Sequence, residues 1–207
     1  MNQDRAYWSK FYKVHKEPFS HSLFADFVLK FLGKNEKILE LGCGNGRDSV
    51  FFAKKGFEVW GVDLCESEIS FLQNHYANDK LTFLCANFCE LNFVNEFSLI
   101  YSRFTLHSIN KDDENKLFSW LNKGLKKGGK FCVEVRGKKN SLFEKGEKVS
   151  EDSFIYENHY RRFLDFNELK IKLKNLGFEL LFSEENKGFA PFKNEDDFFI
   201  RIIAIKS

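Results

Sequence analysis

The stretch that decides the fold is KILELGCGNGRDS, Lys37 to Ser49. A short apolar run leads into glycines at alternate positions, Gly42, Gly44 and Gly46, and Glu40 stands two residues before the first of them. KILELG reads as a buried strand, and RDSVFFAKKG (Arg47 to Gly56) as a helix stopped by a glycine. FEVWGVD (Phe57 to Asp63) follows as a second strand. A bare bend between a strand and a helix permits backbone angles and a close approach that a Cβ forbids. In a doubly wound sheet, ligands bind beyond the carboxyl ends of the strands, where this bend falls.

Outward from that bend, strand-like and helix-like runs keep alternating. SLFADFVLKFLG (Ser22 to Gly33) has helical apolar spacing, and SEISFLQNHY reads as a helix with Ser67 as its cap. LTFLCAN (Leu81 to Asn87) and SLIYS (Ser98 to Ser102) are the third and fourth strands. Asn110 with Asp113 starts a helix whose Leu117, Trp120, Leu121 and Leu125 form one stripe. GGKFCVEVR (Gly128 to Arg136) turns into a fifth strand. Asp165 with Glu168 makes a capping box, and GFELLFSEE and DFFIRIIAIKS are two successive strands. The order predicts an α/β fold: a Rossmann-like, seven-stranded, mostly parallel sheet with helices on both faces and an antiparallel closing strand. Residues 1–32 are expected to be an N-terminal helical cap. Segment 137–165 is charged, weakly periodic and long for a connection, and is expected to be a functional lid.

With 207 residues and two prolines, one domain is the default, and roughly 70% of the unfolded surface can be buried at this length. A formal net charge of +2 argues against a general nucleic-acid or membrane-surface binder. MNQDRAYWSK has no apolar signal core, and no run reaches the ~20 apolar residues of a membrane span, so a cytoplasmic protein is expected. The five cysteines are odd in number and form no CxxC pair. Cys85 and Cys132 lie in apolar runs, and buried thiols are expected rather than disulfides or zinc ligands.

Two cofactor types compete for the bend. A dinucleotide site needs G-x-G-x-x-G, but the position of its third glycine is Arg47. Glu40 would repel a pyrophosphate and suits a ligand with a cationic amine. Asp63 closes the next strand, where an acid can take both hydroxyls of a ribose.

ELGCGNG, then GVD, CANF, a strand ending YS, and KKGGKF together resemble the class I S-adenosylmethionine-dependent methyltransferases, from about residue 36 to the end. GRDS and FFAKKGFEVWGVD resemble the small-molecule branch with tellurite-resistance and thiopurine methyltransferases. The resemblance implies that Glu40 and the loop Gly42, Cys43, Gly44 and Gly46, with Arg47 behind it, hold the methionine part of the cofactor. It implies Asp63 for the ribose, Leu64 against the adenine, Asn87 for the adenine nitrogens with Phe88 alongside, and Tyr101 near the methionine. Tyr7, Trp8 and Tyr12 resemble the segment that closes over the cofactor, though simple packing reads equally well.

Methyl transfer from a sulfonium is an in-line displacement in which alignment supplies roughly 7–11 kcal/mol. The fourth strand continues as YSRFTLHSI, without the Asn/Asp-Pro-Pro-aromatic motif of nucleobase-amine methyltransferases and without the acid cluster of metal-dependent catechol enzymes. Lysine greatly outnumbers arginine, which makes the seven arginines informative. Arg103, Arg136, Arg161 and Arg162 fall at the carboxyl-end face, with His107 and His159 in the same segments. Arginine forks match phosphate or carboxylate. The expectation is a small anionic acceptor bound by these six residues, with Arg103, Tyr101 and His107 (as base or donor) nearest the chemistry and no metal. The competing reading pairs the arginines with Glu151, Asp152 and Asp165. SRF-x-LH with HYRRF also resembles methyltransferases found with bacterial surface-polysaccharide (capsule) genes, implying a sugar or phosphoryl precursor. A catalytically silent S-adenosylmethionine-binding partner of another methyltransferase is the alternative function. A nicotinamide oxidoreductase is disfavoured by Arg47 and Glu40. No nucleic acid or membrane partner is expected, and the chain is read as a monomer or homodimer.

Overall fold

The computed structural model describes residues 7–8, 10, 14–192 and 196–207. Tyr12, expected near the cofactor, lies outside the described residues. Strands β1 (Lys37–Leu41), β2 (Glu58–Asp63), β3 (Leu81–Cys85), β4 (Phe97–Arg103) and β5 (Leu125–Val135) run parallel in the order β3-β2-β1-β4-β5. The direction of sheet growth reverses between β1 and β4, and that crevice positions the site. β9 (Phe178–Asn186) and β10 (Phe199–Lys206) close the sheet, with β10 antiparallel to both β5 and β9.

The strands are apolar on both sides because helices cover both. On one face Ile38, Leu99, Tyr101, Cys132 and Ile203 pack under α1 (Leu23–Val28), α2 (Arg47–Lys54) and α3 (Glu66–His75). On the other, Leu39, Ile100, Phe131 and Val133 pack under α4 (Lys111–Gly124) and α5 (Phe166–Asn175). Of the expected stripe, Leu117, Trp120 and Leu121 lie on α4 and are buried, whereas Leu125, also buried, is the first residue of β5. Two caps form as the sequence predicts: Asn110 accepts from the Asp113 N–H, and Asp165 from those of Asn167 and Glu168.

Four local expectations are corrected. The Ser22–Gly33 helix is only α1, capped by the Ser22 side chain, followed by a 3-10 turn over Leu29–Phe31. α3 starts one residue before Ser67, with Cys65 at the cap position and no side-chain cap bond. The fifth strand begins at Leu125 rather than after the glycine pair. Cys85 is exposed at the carboxyl end of the edge strand β3, although it shares the face of buried Leu81 and Phe83; Cys43, Cys65, Cys89 and Cys132 are buried, and all five are free of disulfides.

Segment 137–165 is not irregular. It contains a second sheet, β6 (Glu147–Lys148), β7 (Ser153–Tyr156) and β8 (His159–Arg162), antiparallel throughout. A cluster of Phe143, Phe154 and Phe163 holds it together. The Leu164 N–H donates to the Arg136 carbonyl, so this cap hangs from the carboxyl end of β5. No helix among the described residues is long and apolar enough to cross a membrane.

Candidate active site

A cavity of about 1730 Å³ opens over the carboxyl ends of β1, β2 and β4. Glu40, Gly42, Cys43, Gly44, Arg47, Asp63, Leu64, Asn87 and Phe88 line one end of it. The bend is built by backbone bonds, Cys43 N–H to Val62 O at 3.0 Å and Gly46 N–H to Cys43 O at 2.9 Å. Gly42 has φ 65°, and a Cβ there would meet Thr105 Cγ2 at 2.5 Å, so the cradle tolerates no side chain. Gly46 also has φ 74° but does not line the cavity; it starts α2 and packs against Leu72.

Asp63 is fixed at both oxygens. Oδ2 accepts from the Gly44 N–H at 3.0 Å and Oδ1 from the Cys65 N–H at 2.9 Å. Each oxygen keeps a lone pair. Burial raises its pKa, and these backbone donors pull the other way. Glu40 is buried and accepts from the Ser49 hydroxyl. Burial first, then the Asp48 carboxylate, holds the Glu40 carboxyl well above its usual range. A cationic amine beside it would reverse that shift. Asn87 uses Oδ1 to accept from the Cys89 N–H, which leaves its amide donors as the part available to a ligand.

Tyr101 lies beneath the cavity rather than on it. It is buried against Phe24 and Phe52, and its hydroxyl donates to Asp48 Oδ2 at 2.7 Å. Asp48 also accepts from the Ser22 N–H at 2.8 Å and the Ser22 hydroxyl at 2.7 Å. Ser22 and Asp48 do reach the cavity wall. Asn45 donates to the carbonyls of His15 and Glu17, and Arg47 to that of Ser20. Residues 15–22 are thereby strapped to the glycine bend, and Trp8 lines the cavity beyond them. Sequence reasoning missed Asp48, Asn45 and Ser22 as organisers. The signal available was an acid and an amide inside an otherwise ligand-facing bend.

Arg103 and Arg136 also line the cavity, Arg103 one position past the β4 residue that pairs with Leu41 of β1. Arg103 donates from Nε to Glu134 Oε1 at 3.1 Å, and its guanidinium sits 4.1 Å from the Phe104 ring centre. Glu134, fully buried, also accepts from Arg201 Nε at 3.0 Å. Burial raises the Glu134 pKa, and Arg103 and Arg201 oppose that. Phe104 has φ 61°, a left-handed conformation that an aromatic residue rarely adopts. Its N–H donates to the Glu134 carbonyl at 2.8 Å, and its ring stacks on Phe199 at 5.1 Å. Arg136 lies 5.0 Å from the Phe199 ring and 5.8 Å from that of Phe104. One aromatic stack thus carries both guanidinium groups. Phe104, Glu134 and Arg201 were not singled out from the sequence, because their partners are distant along the chain.

Four other expected substrate residues do not line this cavity. Arg162 is buried in an ion pair with Glu114, which Lys172 also contacts at 2.5 Å; a guanidinium so enclosed serves the core. This is the acid-paired reading, with Glu114 as the main partner and Asp152 at 3.8 Å. Arg161 donates to the Tyr156 carbonyl at 2.9 Å, within its own hairpin. His107 is buried behind Phe104, and burial, then Arg136, hold its pKa well below the usual histidine value. His159 is buried, its ring 4.3 Å from Tyr7 and 5.3 Å from Trp8, and burial lowers its pKa to about 4. Tyr7 packs there, off the cavity wall.

Glu68 on α3 supplies a pH test. It is 2% exposed, Oε1 has no hydrogen-bond partner among the described residues, and burial followed by Asp63 raises its pKa to about 7. Because the folded state binds this proton more tightly, stability falls as pH rises from about 4.5 toward 7. Glu68→Gln removes that contribution, so thermal melts are expected to show a shallower loss of Tm over this window than the wild type.

Residues 38–129 match the family model described as a methyltransferase domain. A phosphoethanolamine N-methyltransferase 1 from Zea mays is 33% identical over 191 residues, covering 84% of this chain and 36% of that protein. The chain therefore spans well under half of the length of this curated relative. Among solved structures, an S-adenosylmethionine-dependent methyltransferase from Methanosarcina mazei has TM-score 0.75 at 19% identity, covering 87% of this chain and 96% of that one. A 1,6-didemethyltoxoflavin-N1-methyltransferase from Burkholderia thailandensis, with S-adenosylhomocysteine bound, has TM-score 0.70 at 20% identity, covering 89% and 76%. The likeness to the solved structures is one of fold, and the matched domain spans β1 to the start of β5. On these findings residues 38–129 carry a methyltransferase domain, in a chain whose fold is the one these S-adenosylmethionine-dependent enzymes have.

Proposed function

We propose that this protein transfers a methyl group from S-adenosylmethionine to a small acceptor bearing a phosphate or carboxylate, held by Arg103 and Arg136. The observation that carries the reading is the position of both guanidinium groups on the Phe104–Phe199 stack, in the wall of the cavity that Glu40 and Asp63 also line. The name of the maize relative contains phosphoethanolamine, a phosphomonoester of this class. A phosphorylated or carboxylated precursor of a surface polysaccharide is another such acceptor.

The residues present fit the cofactor. The bend excludes a Cβ at Gly42, Glu40 is a buried acid whose raised pKa an ammonium would relieve, and Asp63 has lone pairs free on two fixed oxygens. When bound, the cofactor supplies a methyl already activated by its sulfonium. Glu40 holds the amine, and Asp63 the ribose hydroxyls. Leu64 and Phe88 give the adenine an apolar slot, and Asn87 donates to its ring edge. Cys43 and Arg47 complete the wall around the bend. The strap tied to Asp48 and Asn45 excludes water from that end. Arg103, immobilised by Glu134, fixes the acceptor, so that orientation rather than acid–base chemistry does most of the work. A base is needed only for an acceptor protonated at neutral pH.

Turnover is tested by incubating the protein with S-adenosylmethionine and phosphate- or carboxylate-bearing acceptors and measuring S-adenosylhomocysteine. Arg103→Lys keeps the charge but loses the planar fork. Charge-assisted hydrogen bonds contribute about 1.5–3 kcal/mol, so acceptor KM is expected to rise roughly 10- to 100-fold. Affinity for S-adenosylhomocysteine stays level. Loss of cofactor affinity instead would refute the clamp.

A further inference from the structure

The cavity is larger than the residues described so far require. Pockets for drug-sized ligands run to roughly 300–1,000 Å³, and this one holds about 1730 Å³. Past the two arginines its wall passes between the cap sheet and the connection from β9 to β10. Polar side chains are present there but are engaged with one another. Ser141 donates to Asp197 at 2.7 Å, Ser150 to Asp152 at 2.9 Å, and Ser153 contacts Asp152 at 3.1 Å and the Tyr160 hydroxyl at 2.9 Å. What this region offers a ligand is apolar: Leu142, Val149 and Ile155 from the cap, and Phe189, Pro191 and Phe192 from the connection. Val149 is 52% and Phe192 68% exposed, so each keeps apolar surface open to a ligand chain that leaves the cavity.

We infer that the acceptor is an anionic amphiphile, with its phosphate or carboxylate on Arg103 and Arg136 and an apolar chain running out between the cap sheet and the Phe189–Phe192 connection. The inference rests on the anion clamp proposed above and extends it to the rest of the molecule. A polar chain such as a free sugar would find few unengaged partners along this wall. An apolar chain buries against both sides of it and covers Val149 and Phe192. The cavity is continuous, so head and chain occupy one site rather than two.

The test is calorimetry on protein saturated with S-adenosylhomocysteine. The probes are inorganic phosphate, then n-alkyl phosphates from ethyl to octyl, and a parallel series of alkanoates, all below micelle-forming concentrations. Each buried methylene is expected to tighten binding about three- to fourfold. The series that binds more tightly at equal chain length identifies the head group. Phe192→Ser combined with Val149→Ser is expected to flatten the chain-length gain while leaving the affinities for inorganic phosphate and S-adenosylhomocysteine unchanged. Short and long anions binding equally well would overturn the apolar chain and leave the clamp standing. A gain that survives the double variant would also overturn it. No binding by any anion, with the cofactor product still bound, would remove the clamp and the chain together.

Discussion

Glu134→Ala is expected to destabilise the protein by about 3–5 kcal/mol, because it leaves buried guanidinium charge without its carboxylate. Glu134 is fully buried on β5 and holds Arg103 from one oxygen and Arg201 from the other. Arg201 is itself 5% exposed and cannot turn to water without disturbing Phe24, Phe27 and Phe189, which lie 4.3–5.0 Å from its guanidinium. At this chain length the loss corresponds to a fall in Tm of roughly 10 °C. Glu134→Gln keeps an acceptor at the same place and separates charge from hydrogen bonding: its Tm is expected to lie between the two. Calorimetric or fluorescence melts measure both. If the alanine variant melts within about 2 °C of the wild type, well short of the fall expected at this chain length, the carboxylate is not the keystone of this charge cluster.

The second large effect is at Asp63. Asparagine has nearly the same shape, so the outcome turns on hydrogen bonding. Both carboxylate oxygens accept backbone N–H groups, from Gly44 and Cys65. Whichever way an asparagine amide is turned, one donor faces another donor. The donor clash is present with and without ligand and costs about 1–3 kcal/mol of stability, whereas binding loses the charged acceptor proposed for the ribose hydroxyls, about 1.5–3 kcal/mol. Asp63→Asn is therefore expected to weaken S-adenosylhomocysteine binding roughly 10- to 100-fold by calorimetry. Acceptor KM, measured at saturating cofactor, should change little, since Asp63 ends β2 and Arg103 ends β4, with β1 between them. A loss smaller than fivefold, under about 1 kcal/mol, would mean that the acid closing β2 does not organise the cofactor end.

The elements most easily read were those whose determinants are local. The glycine bend needs left-handed backbone at Gly42, Gly44 and Gly46, and three alternating glycines declare that directly. The caps at Asn110 and Asp165 depend on residues two or three positions away. The cap sheet was not legible. Its strands are two to four residues long, too short for alternation to rise above noise, and Phe143, Phe154 and Phe163 become a core only once the chain has folded back. The arginines show the same limit. Arg103, Arg136, Arg161 and Arg162 are equivalent as letters at the carboxyl-end face. Arg162 meets Glu114, which is 48 positions away, and is sealed in the core, whereas Arg103 meets Glu134 and keeps its outer edge toward the cavity.

The sequence by itself determined the alternation of strands and helices, the side-chain-free bend, and the acids Glu40 and Asp63 at its flanks. Each of these is a matter of backbone angles and short-range spacing. Tertiary structure alone decided which charges are buried in pairs, which histidines stand behind the wall, and how Phe104 is bent to carry two guanidinium groups. Those outcomes depend on which distant partner reaches a charged group first, and a buried charge is stable only where such a partner arrives.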